Sequence, residues 1–150
     1  MLKQLSDGEI RYLLASKRVG RLGCIFDDGP YVVPVSYLFR DNQIYVHSRL
    51  GRKIKALRAN PRACLQVDEI LDEYQWRSAI AYGEYHELTD SEPRSRALAE
   101  LLKRFPHLTP VESIPDDDST LVVFCIRVKQ LTGIGEGSLP PIAMPGLQRG

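Results

Sequence analysis

In the first half of the chain, apolar residues first recur at the spacing of one helix face and then occur in runs typical of β-strands. Ser6 and Glu9 match the capping-box pattern that begins a helix. Ile10, Leu13 and Leu14 follow at the spacing of one helix face, which predicts a short amphipathic helix. Apolar and β-branched runs separated by short polar turns then predict an antiparallel meander of three strands. These strands are Val19–Phe26, Tyr31–Phe39 and Gln43–Ser48.

The pattern continues with two further helices and three further strands. A polar loop from Asp68 to Gln75 precedes the long fifth strand, and the chain from Gly133 is rich in glycine and proline. Residues 133–150 are therefore expected to form an irregular C-terminal tail. The predicted elements are a helix over Arg52–Ala59, strands over Ala63–Val67 and Trp76–Leu88, a helix beginning at Thr89 or Ser91, and a strand over Ser119–Leu131.

About six strands and three helices in 150 residues predict a single domain over residues 1–150. The expected fold class is mainly β with some α. A small six-stranded antiparallel barrel with short flanking helices suits this order of elements better than helices packed on a parallel sheet. Pro34 falls inside the second strand and lacks a backbone donor, so this strand is expected at a sheet edge or a bulge.

Composition excludes several classes of protein. Hydrophobic residues make up 43% and charged residues 26%, which is typical of a globular domain and argues against disorder. The formal net charge of +1 gives no support to a nucleic-acid binder. The longest apolar run, Leu121–Ile126, is far shorter than the roughly 20 residues of a membrane span, and no secretion signal is expected. Three widely spaced cysteines without a CxxC pair predict buried thiols in a reducing, cytoplasmic protein.

Positive charge is concentrated in one segment. No acidic residue lies between Asp41 and Asp68, whereas six of the 20 basic residues do. The segment therefore carries +6, and the remainder, with 14 basic and 19 acidic residues, carries −5. For Lys55, Arg58 and Arg62 the simplest interpretation is a solvated helix face.

Arg52 and Lys53 need a different explanation. They follow Gly51 and open a predicted helix, and cations are unfavourable at the positive end of a helix dipole. The free N–H groups, the dipole and two cationic side chains could converge on a phosphate, which Gly51 would allow to approach the backbone closely. The residues therefore favour a phosphate site, and a solvated basic face remains the alternative.

Other candidate chemistry is sparse. His47 ends the strand before this loop, with Ser48 beside it, so it is a candidate ligand-facing residue or a structural histidine. No histidine or cysteine has the spacing of a metal site, and no nucleotide-binding glycine motif or nucleophile elbow is present.

The order of these motifs resembles the pyridoxamine 5′-phosphate oxidase-like, FMN-binding split-barrel superfamily. Within it, the chain is most similar to the branch of nitroimidazole-resistance and flavin-nucleotide-binding proteins. The resemblance covers about residues 5–130. It rests on four stretches, which are Tyr31–Tyr37, Ile44–Ser48, Gly51–Ile54 and Ala59–Arg62, with supporting similarity over Val19–Leu22 and Trp76–Ile80.

The resemblance implies a homodimer of split barrels with two FMN sites at the subunit interface. In such proteins a basic pair holds the FMN phosphate, and Arg52 and Lys53 match it. The second strand lies along the flavin ring, and the end of the third lies near the phosphate and ring. The remaining matching residues are Val33, Pro34, Val35 and Ser36 on the second strand, His47 and Ser48 on the third, and Ser78 near the start of the fifth.

The function implied is an FMN-dependent oxidoreductase that reduces a small acceptor, either nitroaromatic or quinone-like. His47 is the candidate catalytic residue, as a proton donor or a group that orients substrate. The basic C-terminal segment by which the true oxidases recognise pyridoxal phosphate has no counterpart here. The alternatives are a flavin carrier or sensor without turnover, a deazaflavin-dependent reductase of the same fold, and a polyanion binder that uses the +6 segment.

Overall fold

The computed structural model describes residues 1–106 and 121–140. These residues form eight strands and three helices. No described helix has the length and apolar character needed to cross a membrane. The strands are β1 (Leu2–Gln4), β2 (Val19–Phe26), β3 (Gly29–Ser36), β4 (Leu38–Arg40), β5 (Gln43–Arg49), β6 (Arg62–Asp72), β7 (Gln75–Glu87) and β8 (Leu121–Glu136), and the helices are α1 (Asp7–Ser16), α2 (Arg52–Ala59) and α3 (Ser91–Arg104).

Local signals in the sequence predicted several of these elements closely. The bounds of β2 and α2 agree with the prediction, and α1 has the predicted capping box between Ser6 and Glu9. Helix α3 begins at Ser91 as expected, with Asp90 at its N-cap. The mainly β fold class with antiparallel pairing is confirmed.

Two tight hairpin turns explain the meander. Asp27 and Asp28 connect β2 to β3, and Asp41 and Asn42 connect β4 to β5. All four have positive φ angles between 49° and 61°. Two consecutive residues in this conformation match the right-handed twist of a hairpin, and Asp and Asn tolerate it better than most residues.

The predicted second strand, Tyr31–Phe39, is in fact two strands. It breaks at Tyr37, which is fully buried; its N–H donates to the carbonyl oxygen of Arg18 at 3.1 Å, and its hydroxyl donates to the carbonyl oxygen of Leu14. At this point the chain changes its pairing partner from β2 to β5. A contact with α1 therefore places a bend that apolar alternation alone could not show.

The predicted tail is also partly wrong. Residues Gly133–Glu136 belong to β8, where they pair with the start of β7, and β1 pairs with the same segment. A Cβ at Gly133 would lie 2.6 Å from Cγ1 of Ile10, so the absence of a side chain lets α1 pack on the strand. The glycine-rich run is thus strand rather than loop. Residues 141–150 of the predicted tail lie outside the described part of the chain.

Strand lengths differ from the prediction at one more place. The polar segment from Asp68 to Gln75, predicted as a loop, mostly extends the β6–β7 hairpin, with a register shift between Ile70 and Asp72. Cross-strand pairs along the hairpin, such as Glu69 with Arg77, favour the extension.

The sheet forms a split barrel. Its strand order is β3-β2-β6-β7-β8-β5-β4, with β1 attached to β8. The strands at the two ends of this order, β3 and β4, are consecutive in the chain, so the sheet must curl until its ends meet. Edge strand β3 contains Pro34, which confirms the edge position expected from that residue.

Helices α1 and α2 cover the main core inside the barrel, and α3 covers a smaller cluster on the outside of β5 and β8. The main core includes the buried face of every strand from β2 to β8 except the short β4. Its largest fully buried side chains are Tyr37, Phe124, Leu13, Leu14, Leu22, Ile44, Ile54, Leu57, Leu65 and Ile126.

The Tyr37 contact leads to a first prediction. Tyr37→Phe leaves the buried carbonyl of Leu14 without its donor, so the free energy of unfolding should fall by about 1–3 kcal/mol. Burial raises the pKa of Tyr37. Because the unfolded chain releases this proton at about pH 10 and the folded one does not, the wild-type protein should lose stability above that pH.

Urea denaturation at pH 7 to 11 measures both effects. The Tyr37→Phe variant should lose less stability than the wild type above about pH 10, although Tyr85, whose pKa burial also raises, retains part of the decline. Equal unfolding free energies at neutral pH would contradict the role of the hydroxyl.

Candidate functional site

The barrel is split between β3 and β5, and this opening is the candidate site. β4 pairs with β5 only over its three residues, Leu38–Arg40. Farther along, over residues 46–49, β5 pairs with β8, and β3 pairs with β2. Within the described residues, the facing edges of β3 and β5 therefore have no strand between them, and backbone N–H and C=O groups line the opening.

The N-terminus of α2 lies at one end of this opening. Its N-cap, Gly51, provides no side-chain hydrogen bond, and the first turn contains no acidic residue. The guanidinium of Arg52 stacks 5.2 Å from the ring centroid of Phe26, and that ring lies 5.9 Å from the ring of Tyr31 on β3. These contacts hold the start of α2 beside the beginning of β3.

The start of α2 carries two cationic side chains and no acidic residue. Arg52 is exposed, and Lys53 is close enough to Cys24 on β2 to act on its thiol. Burial raises the pKa of Cys24, and Lys53 opposes this shift. The uncapped N–H groups of the first turn add their own partial positive charge.

An ion pair anchors the other end of α2. Nε and Nη2 of Arg58 donate to the two carboxylate oxygens of Glu87 at 2.8 and 2.9 Å, and the hydroxyl of Tyr85 donates to Oε1 of Glu87 at 2.6 Å. The hydrogen bond from Arg58 lowers the pKa of Glu87. The bidentate geometry holds α2 against the end of β7. Lys55 is exposed on α2, as a solvated helix face predicts, whereas Arg58 pairs with Glu87 and the exposed Arg62 begins β6 rather than lying on the helix.

The four predicted residues of β3 divide between two faces. Val33 and Val35 face the core, whereas Pro34 and Ser36 are exposed on the outside of the sheet. A ligand in the opening would therefore meet this strand mainly through its backbone edge. Side-chain identity along β3 matters less for such contacts than its edge position.

His47 and Ser48 also face opposite ways, because successive residues of a strand alternate. Ser48 is buried on the core face, where its hydroxyl donates to the carbonyl oxygen of Arg49 at 3.1 Å. His47 points to the other face of β5, opposite Val123, which belongs to the small cluster covered by α3. A ligand on one face of β5 could therefore contact only one of these two side chains.

Within one chain, Ser78 is not near Arg52 and Lys53 at the start of α2. It lies on the outer face of the sheet opposite Asp68, and its hydroxyl accepts a hydrogen bond from Nε2 of Gln66 at 3.0 Å. Gln66 in turn pairs with Arg21 on β2, five residues before the Phe26 that contacts Arg52. At about 3.3 Å per residue, this offset alone is roughly 17 Å along the strand.

A phosphate group fits the start of α2. A Cβ added to Gly51 would meet only the carbonyl oxygen of Arg49, at 3.9 Å, so the chain leaves open space next to the free N–H groups. Arg52 and Lys53 provide cationic donors at the same end of the helix. A group with a phosphate at one end and a flat ring could bind there, with the ring along the edge of β3.

Sequence reasoning did not identify two residues that shape this site. Phe26 supports Arg52, and Glu87 holds Arg58. Both are distant from α2 in the sequence, so no local pattern could connect them to it. The concentration of six cations in one segment was the one indirect signal that acidic or aromatic partners could lie nearby.

Comparison with known proteins agrees with this architecture. The sequence profile of the pyridoxamine 5′-phosphate oxidase family matches residues 6–134. An uncharacterized protein of Rhizobium meliloti is 33% identical over 142 residues, which cover 88% of this chain and 93% of that protein.

Solved structures share the fold. An FAD-binding protein of Mesorhizobium loti is 35% identical, with a TM-score of 0.75 over 91% of this chain and 99% of that one. A candidate 5-nitroimidazole antibiotic resistance protein of Bacteroides thetaiotaomicron is 20% identical, with a TM-score of 0.70 over 90% of this chain and 89% of that one. An FAD-binding protein of Mycobacterium smegmatis, also 20% identical, has a TM-score of 0.65 over 90% of this chain and 100% of that one. The split barrel and the profile match together confirm the resemblance drawn from the sequence, and the chain belongs to the pyridoxamine 5′-phosphate oxidase family.

Proposed function

We propose that this protein binds FMN and uses it to reduce a small nitroaromatic or quinone-like acceptor. The uncapped N-terminus of α2, with Arg52 and Lys53 in a first turn that lacks acidic residues, is the observation that carries the proposal. The 35% identity to an FAD-binding protein supports a flavin over other phosphate-bearing ligands. The choice of FMN rests on the family resemblance and on a single cluster of phosphate donors.

Each residue of the site has a defined task in this proposal. Arg52, Lys53 and the free N–H groups of α2 bind the phosphate, and the backbone edge of β3 positions the ring. Bound FMN supplies the hydride or electron transfer, and the protein supplies binding, orientation and electrostatics. His47 orients the acceptor or donates a proton to it, provided that the acceptor binds on the α3 side of β5.

The position of Ser78 supports a homodimer. The outer face of the sheet on which it lies contains exposed apolar side chains, among them Val32, which is 66% exposed, and Tyr82, which is 39% exposed. A groove of about 500 Å³ runs between them. An exposed apolar face of this kind is typical of an interaction surface. A second copy packed there would bring its own Ser78 toward the opening, so that the flavin lies between the subunits.

Titration of flavin-free protein tests this proposal. FMN should bind tightly with a shifted visible absorption spectrum, FAD should bind more weakly, and sedimentation should show a dimer. The FMN complex should then be reduced by a nicotinamide donor and reoxidised anaerobically by menadione or a nitroimidazole.

The other outcomes separate the alternatives. FMN binding without any turnover would favour a carrier or sensor, and exclusive binding of a deazaflavin would favour the corresponding reductase. Equal or tighter binding of FAD would show that the site takes the dinucleotide. A protein that binds no flavin at all would contradict the proposal.

A further inference from the structure

The aromatic ring of Phe26, at the end of β2, lies under the guanidinium of Arg52, with 5.2 Å between Cζ and the ring centroid. We propose that Phe26 is a positioning residue for the flavin phosphate, because it holds Arg52 in place and leaves its N–H groups free to donate. This inference rests on the proposed function, in which Arg52 binds that phosphate. It adds a residue from outside α2 on which the preference for a phosphorylated flavin depends.

The contact with Phe26 leaves the hydrogen-bonding edge of the guanidinium unused. A guanidinium carries five N–H donors in its plane, whereas an aromatic ring attracts a cation through the face of the ring. Among the described residues, Arg52 forms no ion pair. Asp27 and Asp28 follow Phe26 directly in the chain, yet neither carboxylate pairs with Arg52 in the part of the chain that the structure describes. The donors of Arg52 are therefore available for a bidentate contact with phosphate oxygens.

Arg58, on the same helix, is held in the opposite way. Its Nε and Nη2 both donate to the carboxylate of Glu87, at 2.8 and 2.9 Å. These bonds use the edge of the guanidinium, so fewer of its donors remain for a ligand. Glu87 thus anchors α2 through Arg58, whereas Phe26 supports Arg52 without occupying the groups that would bind phosphate.

The ring of Phe26 is itself fixed by its surroundings. It packs against the main core, and its centroid lies 5.9 Å from that of Tyr31. The backbone of Phe26 pairs with Gly29 across the tight turn between β2 and β3. A fixed support restricts the arrangements open to the long side chain of Arg52, which lowers the entropic cost of ordering it on a ligand.

The support matters because Arg52 is exposed. An exposed arginine samples many rotamers, and a binding contact has to offset the freedom that the side chain loses. A contact between a cation and an aromatic ring at an exposed site is modest in strength. Loss of the ring should therefore weaken FMN binding by about two- to fivefold, much less than removal of the cations themselves.

Two substitutions of Phe26 test the role of its ring. Phe26→Leu keeps a half-buried apolar side chain but removes the aromatic face, whereas Phe26→Tyr keeps that face. In titrations of flavin-free protein, Phe26→Leu should bind FMN about two- to fivefold more weakly than the wild type, and Phe26→Tyr should bind it like the wild type. Riboflavin, which has no phosphate, should bind equally well to all three proteins. A loss of FMN affinity in Phe26→Tyr as large as that in Phe26→Leu would overturn the inference.

A double-mutant cycle separates positioning from a general structural role. Phe26→Leu is made in the wild type and in Arg52→Ala, and FMN affinity is measured for all four proteins. If Phe26 acts through Arg52, its replacement should weaken FMN binding in the wild type and have no further effect in Arg52→Ala. Equal losses in the two backgrounds would show that the ring only supports the fold, and they would overturn the inference.

Phe105→Leu is the matched control. Phe105 also lies under an arginine, with Cζ of Arg18 4.9 Å from its ring centroid, but Arg18 precedes β2 whereas Phe26 ends it. This variant should keep the wild-type ratio of FMN to riboflavin affinity. A decrease in that ratio as large as that in Phe26→Leu would show that the effect is not specific to Arg52, and it would overturn the inference.

The wild type distinguishes failure of this inference from failure of the proposed function. A wild type that binds FMN and riboflavin equally, or binds neither, would contradict phosphate binding at α2 and would overturn both. A wild type that strongly prefers FMN, with the same preference retained in Phe26→Leu, would overturn the role of Phe26 alone.

Discussion

Replacing both Arg52 and Lys53 by alanine is expected to weaken FMN binding by about 10²- to 10⁴-fold. Hydrogen bonds to a charged group contribute roughly 1.5–3 kcal/mol each, and the double variant removes at least two of them. The N–H groups of the helix remain, so weak binding should persist. Fluorescence titration of the flavin-free proteins with FMN measures the change.

Riboflavin is the matched ligand, because it has the same ring without the phosphate. The wild type should prefer FMN to riboflavin strongly, and the double variant should lose most of that preference. Lys55→Ala is the matched variant, since it removes a charge from the same helix at an exposed position beyond the first three residues. It should change FMN affinity by no more than about threefold, as expected for a screened surface charge.

Two outcomes of this titration would contradict the assignment of the phosphate to α2. If the double variant binds FMN as tightly as the wild type, or loses FMN and riboflavin affinity equally, the start of α2 does not hold the phosphate. In that case Arg52 and Lys53 belong to the solvated basic face that is the alternative interpretation.

Gly83→Ala is expected to lower the free energy of unfolding by about 3 kcal/mol, near the top of the range for added atoms in a packed interior. A Cβ at this position would lie 2.1 Å from the carbonyl oxygen of Arg127. That oxygen is backbone in the middle of β8, so no side chain can move aside to relieve the contact. The residue lies where the pairing of β7 and β8 shifts register between Tyr82 and Gly83.

Gly29→Ala provides the control in the same kind of structure. It is also a strand glycine, but its added Cβ would meet only the carbonyl oxygen of Phe26, at an ordinary 3.6 Å. We expect a change within about 0.5 kcal/mol. Urea denaturation of the three proteins gives the comparison, and a Gly83→Ala protein as stable as Gly29→Ala would show that the two strands do not approach this closely.

The relation between sequence and structure differs between the helices and the strands. Helix α2 could be predicted to the residue, because Gly51 and the Asn60–Pro61 pair mark both ends locally. The hairpin turns could also be predicted from nearby residues, because Asp27 and Asp28 adopt positive φ angles that few residues tolerate. The candidate phosphate site could be predicted from the sequence for the same reason, because its donors come from a single turn of helix.

Strand ends were harder to predict. Residues Gly133–Glu136 carry no apolar alternation and were expected to be irregular, yet they pair with both β7 and β1. Tyr37 looks like the middle of a strand and is instead the point where pairing changes. In both places the decisive neighbours, Ile10 and Leu14 of α1, lie far away in the sequence.

The candidate site likewise has some features that follow from local sequence and others that depend on tertiary packing. The sequence by itself determined the helix, its two cations, the antiparallel barrel and the edge position of the strand that contains Pro34, because each depends on the residue types within a few positions. Only the tertiary structure decided that Ser48 rather than His47 faces the core, that Ser78 lies away from α2, and where the barrel opens. These features depend on which strands pair and in which register, and that choice is made by packing between distant parts of the chain rather than by local preference.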